Sequence, residues 1–173
     1  MSQKIADAVD LVRASPWARQ VHALLKDWDD ARRGRWSTWE DGALLLTIDT
    51  IPGGAKCEPV NILIANNLVA FTTRQWETQL PREGQSLEAA LADLQTLTRK
   101  WFAGEIALAT FFLGEEWKGS TPIDPKNLQQ EIGEAFQWIR AQSPVDRVEI
   151  RTPHRDRDQF FEIYKDGAPQ GLH

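Results

Sequence analysis

The sequence predicts an α+β fold, with a mostly antiparallel sheet of five to six strands, helices packed on one face, and two N-terminal helices. Apolar residues recur at helical spacing in the N-terminal segment and again before residue 144. Between these stretches lie short apolar runs that end in Pro, Gly or Asn. Strands and helices do not alternate strictly along the chain, which argues against a doubly wound parallel sheet.

Two helices are predicted in the first 33 residues. Ile5, Val9 and Val12 recur at the spacing of one helix face. Ser15 is a good N-cap and is followed by proline, which suits the first position of a second helix. We expect that second helix to end at Gly34.

Three strands are predicted in the middle of the chain. Apolar runs cover residues 43–51 and 60–65, and an alternating pattern covers 68–80. Asn66 and Asn67 tolerate positive φ, so they predict a tight hairpin between the second and third strands.

Two more helices and three more strands are predicted in the rest of the chain. Ser86 and Asp124 are residue types that favour a helix start. The expected elements are a helix over 87–103, a strand over 105–114, a loop over 115–124, a helix over 124–143, and strands over 147–152 and 159–164.

The size and charge of the chain limit its partners. Its 173 residues, 42% hydrophobic and 26% charged, are typical of one globular domain. We therefore expect a single domain over 1–173, with a flexible tail over about 165–173. The net charge of −5 argues against nucleic acid as the main partner. No apolar run is long enough to span a membrane, and the N-terminus lacks a signal-peptide pattern, so we expect a cytoplasmic protein.

The common catalytic and cofactor motifs are absent from the sequence. It contains no GxGxxG, GxxxxGK[ST], HExxH, GxSxG or EF-hand pattern, and its single cysteine, Cys57, has no second thiol to pair with. These observations favour a protein that is not an enzyme and that needs no cofactor.

Tryptophan is over-represented, with eight residues against one tyrosine. Trp36, Trp39 and Trp117 fall in segments predicted as loops, beside acidic residues. Indoles in such positions are typical of binding hot spots, although they also suit a cover over an open sheet face. The predicted partner-binding surface consists of Trp36, Trp39, Glu40, Asp41, Glu115, Glu116 and Trp117. From this acidic, tryptophan-rich surface we expect a non-enzymatic protein-binding module of the immunity, inhibitor or adaptor type, with a basic protein as partner. A homo-oligomer is compatible with the same pattern.

Two alternatives stay open. His154, Asp156 and Asp158 are two residues apart, so an extended backbone would project them to the same side as ligands of a divalent metal in a hydrolase. The same sequence is also typical of a solvated loop. A small-ligand pocket would instead be lined by Trp101, Phe111, Phe112 and Phe136, which are more simply core residues.

Overall fold

The computed structural model describes residues 9–39, 41–154, 157–163 and 169–171. The chain is α+β and forms two compact units, Met1–Arg99 and Lys100–His173. Each unit contains a five-stranded antiparallel sheet, whereas the sequence predicted one sheet of five to six strands. The prediction of a single domain over 1–173 stays a prediction.

The described residues contain four α-helices, one short 3-10 helix and ten strands. None of these helices has both the length and the apolar composition needed to cross a membrane. The helices are α1 (Pro16–Leu25), α2 (Asp29–Arg32), α3 (Leu87–Phe102) and α4 (Leu128–Arg140), with the 3-10 helix at Pro125–Asn127. The strands are β1 (Arg35–Thr38), β2 (Leu44–Thr50), β3 (Lys56–Ala65), β4 (Leu68–Thr73), β5 (Trp76–Leu80), β6 (Ala107–Leu113), β7 (Glu116–Ile123), β8 (Arg147–Arg151), β9 (Gln159–Ile163) and β10 (Pro169–Gly171).

The first sheet is a meander in which β1 to β5 pair in chain order. The predicted hairpin between β3 and β4 is confirmed: Asn66 and Asn67 have φ of 49° and 62°. Leu46, Ile62 and Phe71 are cross-strand neighbours and are fully buried, so they form the apolar face of the sheet. Helix α1 packs against β3 and buries Ala18, Val21 and Leu25.

The second sheet has the order β10-β9-β8-β6-β7, so β7 is an edge strand. Helix α4 contacts β6 and β7. The predicted cap at Asp124 belongs to the 3-10 helix, where its carboxylate accepts a hydrogen bond from Lys126 N (2.8 Å), and α4 itself begins four residues later, at Leu128. One core cluster joins sheet and helix: Ala107, Ala109, Phe111, Ile123, Ile132, Phe136, Ile139, Val148 and Ile150.

The N-terminal helices differ from the prediction. Residues 11–13 form a turn instead of a helix, because the Asp10 carboxylate accepts hydrogen bonds from the backbone N–H groups of Val12 (3.1 Å) and Arg13 (3.3 Å) and competes with helical bonding. Residues 1–8 lie outside the described residues. The predicted second helix is divided into α1 and α2 by a turn after Leu25, where Trp28 N donates to Leu25 O (3.0 Å).

The strands differ from the prediction in three segments of the chain. The predicted loops at 35–40 and 115–124 contain β1 and β7, and the predicted strand over 68–80 is divided into β4 and β5. The division falls at Arg74, whose φ of 48° turns the chain. Neither edge strand, β1 or β7, contains a run of apolar residues, so the local strand signal is weak in both.

The C-terminal segment is described only in part. Residues 169–171 of the predicted flexible tail pair with β9 as strand β10. Residues 164–168, 172 and 173 lie outside the described residues.

Gly42 provides a test of the first unit. Its φ is +81°, and an added Cβ would lie 2.8 Å from Arg13 O, whereas Gly84 has φ +75° with no atom within 4 Å. We predict that Gly42→Ala lowers the free energy of unfolding by about 2 kcal/mol more than Gly84→Ala does. Urea unfolding of both variants measures this difference. Equal losses would show that close packing at Gly42 is unimportant.

Candidate functional site

The hairpin between β6 and β7 carries the most exposed group of predicted site residues. Trp117 is 51% exposed, and the Glu115 and Glu116 side chains are 95% and 70% exposed. Leu113, at the end of β6, is also exposed. We call Leu113, Glu115, Glu116 and Trp117 the hairpin surface.

A β-bulge determines which side of the sheet Trp117 faces. Phe111 pairs with Gly119 and Phe112 pairs with Trp117, so Lys118 has no partner in β6. In a regular strand, Trp117 and Ser120 would lie on opposite faces, because side chains alternate. The extra residue shifts this alternation and places both side chains on one face.

Hydrogen bonds hold the Trp117 indole on that face. Its Nε1 donates to Ser120 Oγ (3.0 Å), and Ser120 Oγ donates to Thr110 Oγ1 (3.2 Å). Thr110 is fully buried. The polar edge of the indole is therefore tied to the interior of the sheet while half of its surface stays exposed. This arrangement reduces the entropy that a partner would have to remove on binding.

The turn of the hairpin is fixed by Asp146, which precedes β8. Both Asp146 carboxylate oxygens lie 3.0 Å from Gly114 N, which donates to them, and Asp146 N donates to Phe112 O (2.9 Å). Gly114 has φ +57°, which glycine adopts without strain. These contacts give the turn a defined backbone conformation.

Charged side chains on β8 form ion pairs with one another and with the hairpin surface. The Glu149 carboxylate is buried between Arg147, whose Nε lies 3.2 Å away, and Arg151, which contacts its other oxygen. Arg147 also lies 3.4 Å from Glu115 and 4.6 Å above the Phe112 ring. Glu149 thus positions the guanidinium that meets the hairpin surface.

The other predicted binding residues belong to the first unit. Trp36 is half-buried in β1, with its ring 4.6 Å from that of His22 in an edge-to-face contact, so the prediction of a loop position was wrong. Trp39 is half-buried, and its backbone N–H donates to Ala43 O (2.9 Å). Asp41 is exposed and accepts from Ala43 N (3.0 Å). Glu40 lies outside the described residues.

The predicted metal ligands are described in part. Asp158 Oδ1 accepts a hydrogen bond from Thr152 N (2.8 Å), which closes the loop after β8, and the His154 backbone also contacts the Thr152 hydroxyl. Asp156 lies outside the described residues. No group of three His, Cys, Asp or Glu side chains suited to a metal occurs within the described part of the chain.

The residues of the predicted small-ligand pocket are buried. Phe111 and Phe136 belong to the core cluster of the second unit. Trp101 and Phe112 are 1% and 5% exposed.

Cys57 is half-buried, and burial raises the pKa of its thiol, which lowers its reactivity as a nucleophile.

Sequence reasoning missed Lys118 and Ser120, which set the position of Trp117. A glycine inside a strand pattern often marks a bulge, so Gly119 was the available signal. The prediction of a loop over 115–124 obscured it.

Comparison of the chain with protein-family models, curated proteins and solved structures gave no match.

Removal of the Glu149 carboxylate would leave two arginines without their shared partner. We predict that Glu149→Ala lowers the free energy of unfolding by about 3 kcal/mol. Glu134→Ala, at an exposed position of α4, is the control and should change it by less than about 0.5 kcal/mol. Urea titrations would contradict the buried network if the two variants were equally stable.

His22 makes stability depend on pH. Burial, with a smaller contribution from Lys26, lowers the pKa of His22 below its ordinary value of 6.5. The unfolded chain then binds a proton more readily than the folded chain, so this contribution to stability is lost as the pH falls below 6.5. We predict that the free energy of unfolding decreases more between pH 8 and pH 5 in the wild type than in His22→Gln. Parallel pH profiles of the two proteins would contradict the prediction.

Proposed function

We propose that this chain is a non-catalytic binding module that recognises a basic protein through the hairpin surface. The observation that carries the proposal is the 51% exposure of an indole whose Nε1 is already bonded to Ser120. A large aromatic side chain that is both exposed and held in place resembles the residues that contribute most of the binding energy in protein interfaces.

The charges near Trp117 support a basic partner. Glu115 pairs with Arg147 at 3.4 Å, and Glu116 pairs with Lys118 at 2.7 Å. Both carboxylates remain exposed, and exposed ion pairs contribute only about 0–1 kcal/mol. An arginine or lysine of a partner could therefore displace either internal pair at low cost.

The net charge of the chain supports the same partner chemistry. With a net charge of −5, the protein attracts a basic protein over a distance of about one Debye length. This long-range attraction raises the rate of association, whereas desolvation of the indole lowers the rate of dissociation.

The proposal predicts that Trp117→Ala weakens the binding of a specific partner. We expect the wild type, immobilised and exposed to lysate of its source cell, to retain a basic protein in a 1:1 ratio. The purified pair should bind about thirtyfold more weakly in the Trp117→Ala variant, which corresponds to about 2 kcal/mol. Calorimetry with the purified partner measures the affinity.

Trp138→Ala is the matched control, because Trp138 is 56% exposed but lies on α4. It should bind as the wild type does. Glu115→Gln combined with Glu116→Gln should slow association, with an effect that fades at high salt. Equal affinity of the wild type and Trp117→Ala, or equal losses in both tryptophan variants, would refute the proposed surface.

A further inference from the structure

A cleft of about 390 Å³ opens in the first unit, and nothing in the proposed binding function uses it. Three segments form its walls: the first turn of α1, the turn between β1 and β2, and the hairpin between β3 and β4. Its volume is at the low end of the range for small-molecule sites. The cleft is lined by Ser15, Pro16, Trp17, Asp41, Ala43, Ala65, Asn66 and Asn67.

Backbone contacts fix these walls relative to one another. Ser15 N donates to Gly42 O (2.9 Å), which ties the start of α1 to the turn after β1. The Trp17 Nε1 donates to Leu68 O (3.5 Å), which ties the indole to the start of β4. The walls of the cleft are therefore held together by bonds within the protein itself.

The lining groups can both donate and accept hydrogen bonds. Asn66 and Asn67 each bring a side-chain amide on an exposed residue. The Asp41 carboxylate uses Oδ1 to accept from Ala43 N (3.0 Å), and a carboxylate can accept further bonds. Trp17 adds an aromatic surface beside these polar groups.

The charge of the lining selects against ionic ligands. None of the described residues that line the cleft is Lys, Arg or His, so a phosphate or carboxylate ligand has no cationic side chain to bind. The positive N-terminal end of α1 would attract an anion that the Asp41 carboxylate repels, and Asp41 would attract a cation that the helix end repels. A neutral ligand with several hydroxyl groups avoids both penalties.

We propose that this cleft binds a neutral mono- or disaccharide. The apolar face of a sugar ring would stack on Trp17, and its hydroxyl groups would bond to Asn66, Asn67 and Asp41. The described residues that line this cleft belong to the first unit, whereas the hairpin surface belongs to the second.

The test is an NMR titration of the ¹⁵N-labelled full chain. The probes are the methyl glycosides of glucose, galactose, mannose and N-acetylglucosamine, together with cellobiose and lactose. Agmatine and inorganic phosphate serve as cationic and anionic probes. We expect at least one sugar to shift the Trp17 indole N–H resonance, with neither ionic probe doing so.

Two substitutions test whether the lining residues contribute to sugar binding. Asn67→Gly removes one amide and preserves the turn, because glycine adopts the φ of 62° without strain. It should weaken sugar binding about tenfold, as should Trp17→Ala. Trp138→Ala controls for sugar stacking on any exposed indole and should bind as the wild type does.

Asn67→Gly keeps the test decisive even if Trp17→Ala fails to fold. The proposal is overturned if no sugar shifts the Trp17 resonance or if agmatine or phosphate binds there instead. It is also overturned if Asn67→Gly binds the sugar as tightly as the wild type.

Discussion

The extra residue in β7 is the constraint on which the position of Trp117 depends. Lys118 has no partner in β6, so Trp117 and Ser120 share one face of the sheet and their side chains can hydrogen-bond. Without that residue, the alternation of the strand would place the indole and the hydroxyl on opposite faces. The bulge therefore combines an exposed indole surface with a fixed indole edge, and the proposed binding function depends on this combination. Asp146 and the Glu149 network support the same hairpin from β8.

The two proposed sites use tryptophan in different ways. At the hairpin surface, the exposed ring lies beside carboxylates in exchangeable ion pairs, which suits a basic protein. In the cleft, Trp17 lies beside amides and one carboxylate, which suits a neutral hydroxyl-rich ligand. In both places a hydrogen bond from Nε1 to the sheet holds the indole, to Ser120 in one unit and to Leu68 in the other. The surface beside each ring, rather than the ring itself, therefore determines the chemistry of the expected ligand.

Local signals predicted most of the elements that begin or end at a distinctive residue. Ser15 caps α1, Asn66 and Asn67 form the β3–β4 hairpin, and Asp124 precedes α4. The edge strands β1 and β7 were missed because they lack a run of apolar residues, although each forms a hairpin with the strand next to it in sequence. The number of sheets was missed for a different reason, because strand order is a property of long-range contacts such as the pairing of β6 with β8. At the candidate site, Trp117 was named from composition, but the bulge that orients it depends on a single unpaired residue marked only by Gly119.

The most direct test of the central claim is ¹⁹F NMR of the protein labelled with 5-fluorotryptophan, with Trp117 assigned from the spectrum of Trp117→Phe. The resonance of an exposed indole shifts between H₂O and D₂O, and that of a buried indole such as Trp101 does not. We predict a solvent-dependent Trp117 resonance in the free protein, which loses that dependence when the basic partner is added while the Trp138 resonance keeps it. A Trp117 resonance that is already independent of solvent in the free protein would contradict the account.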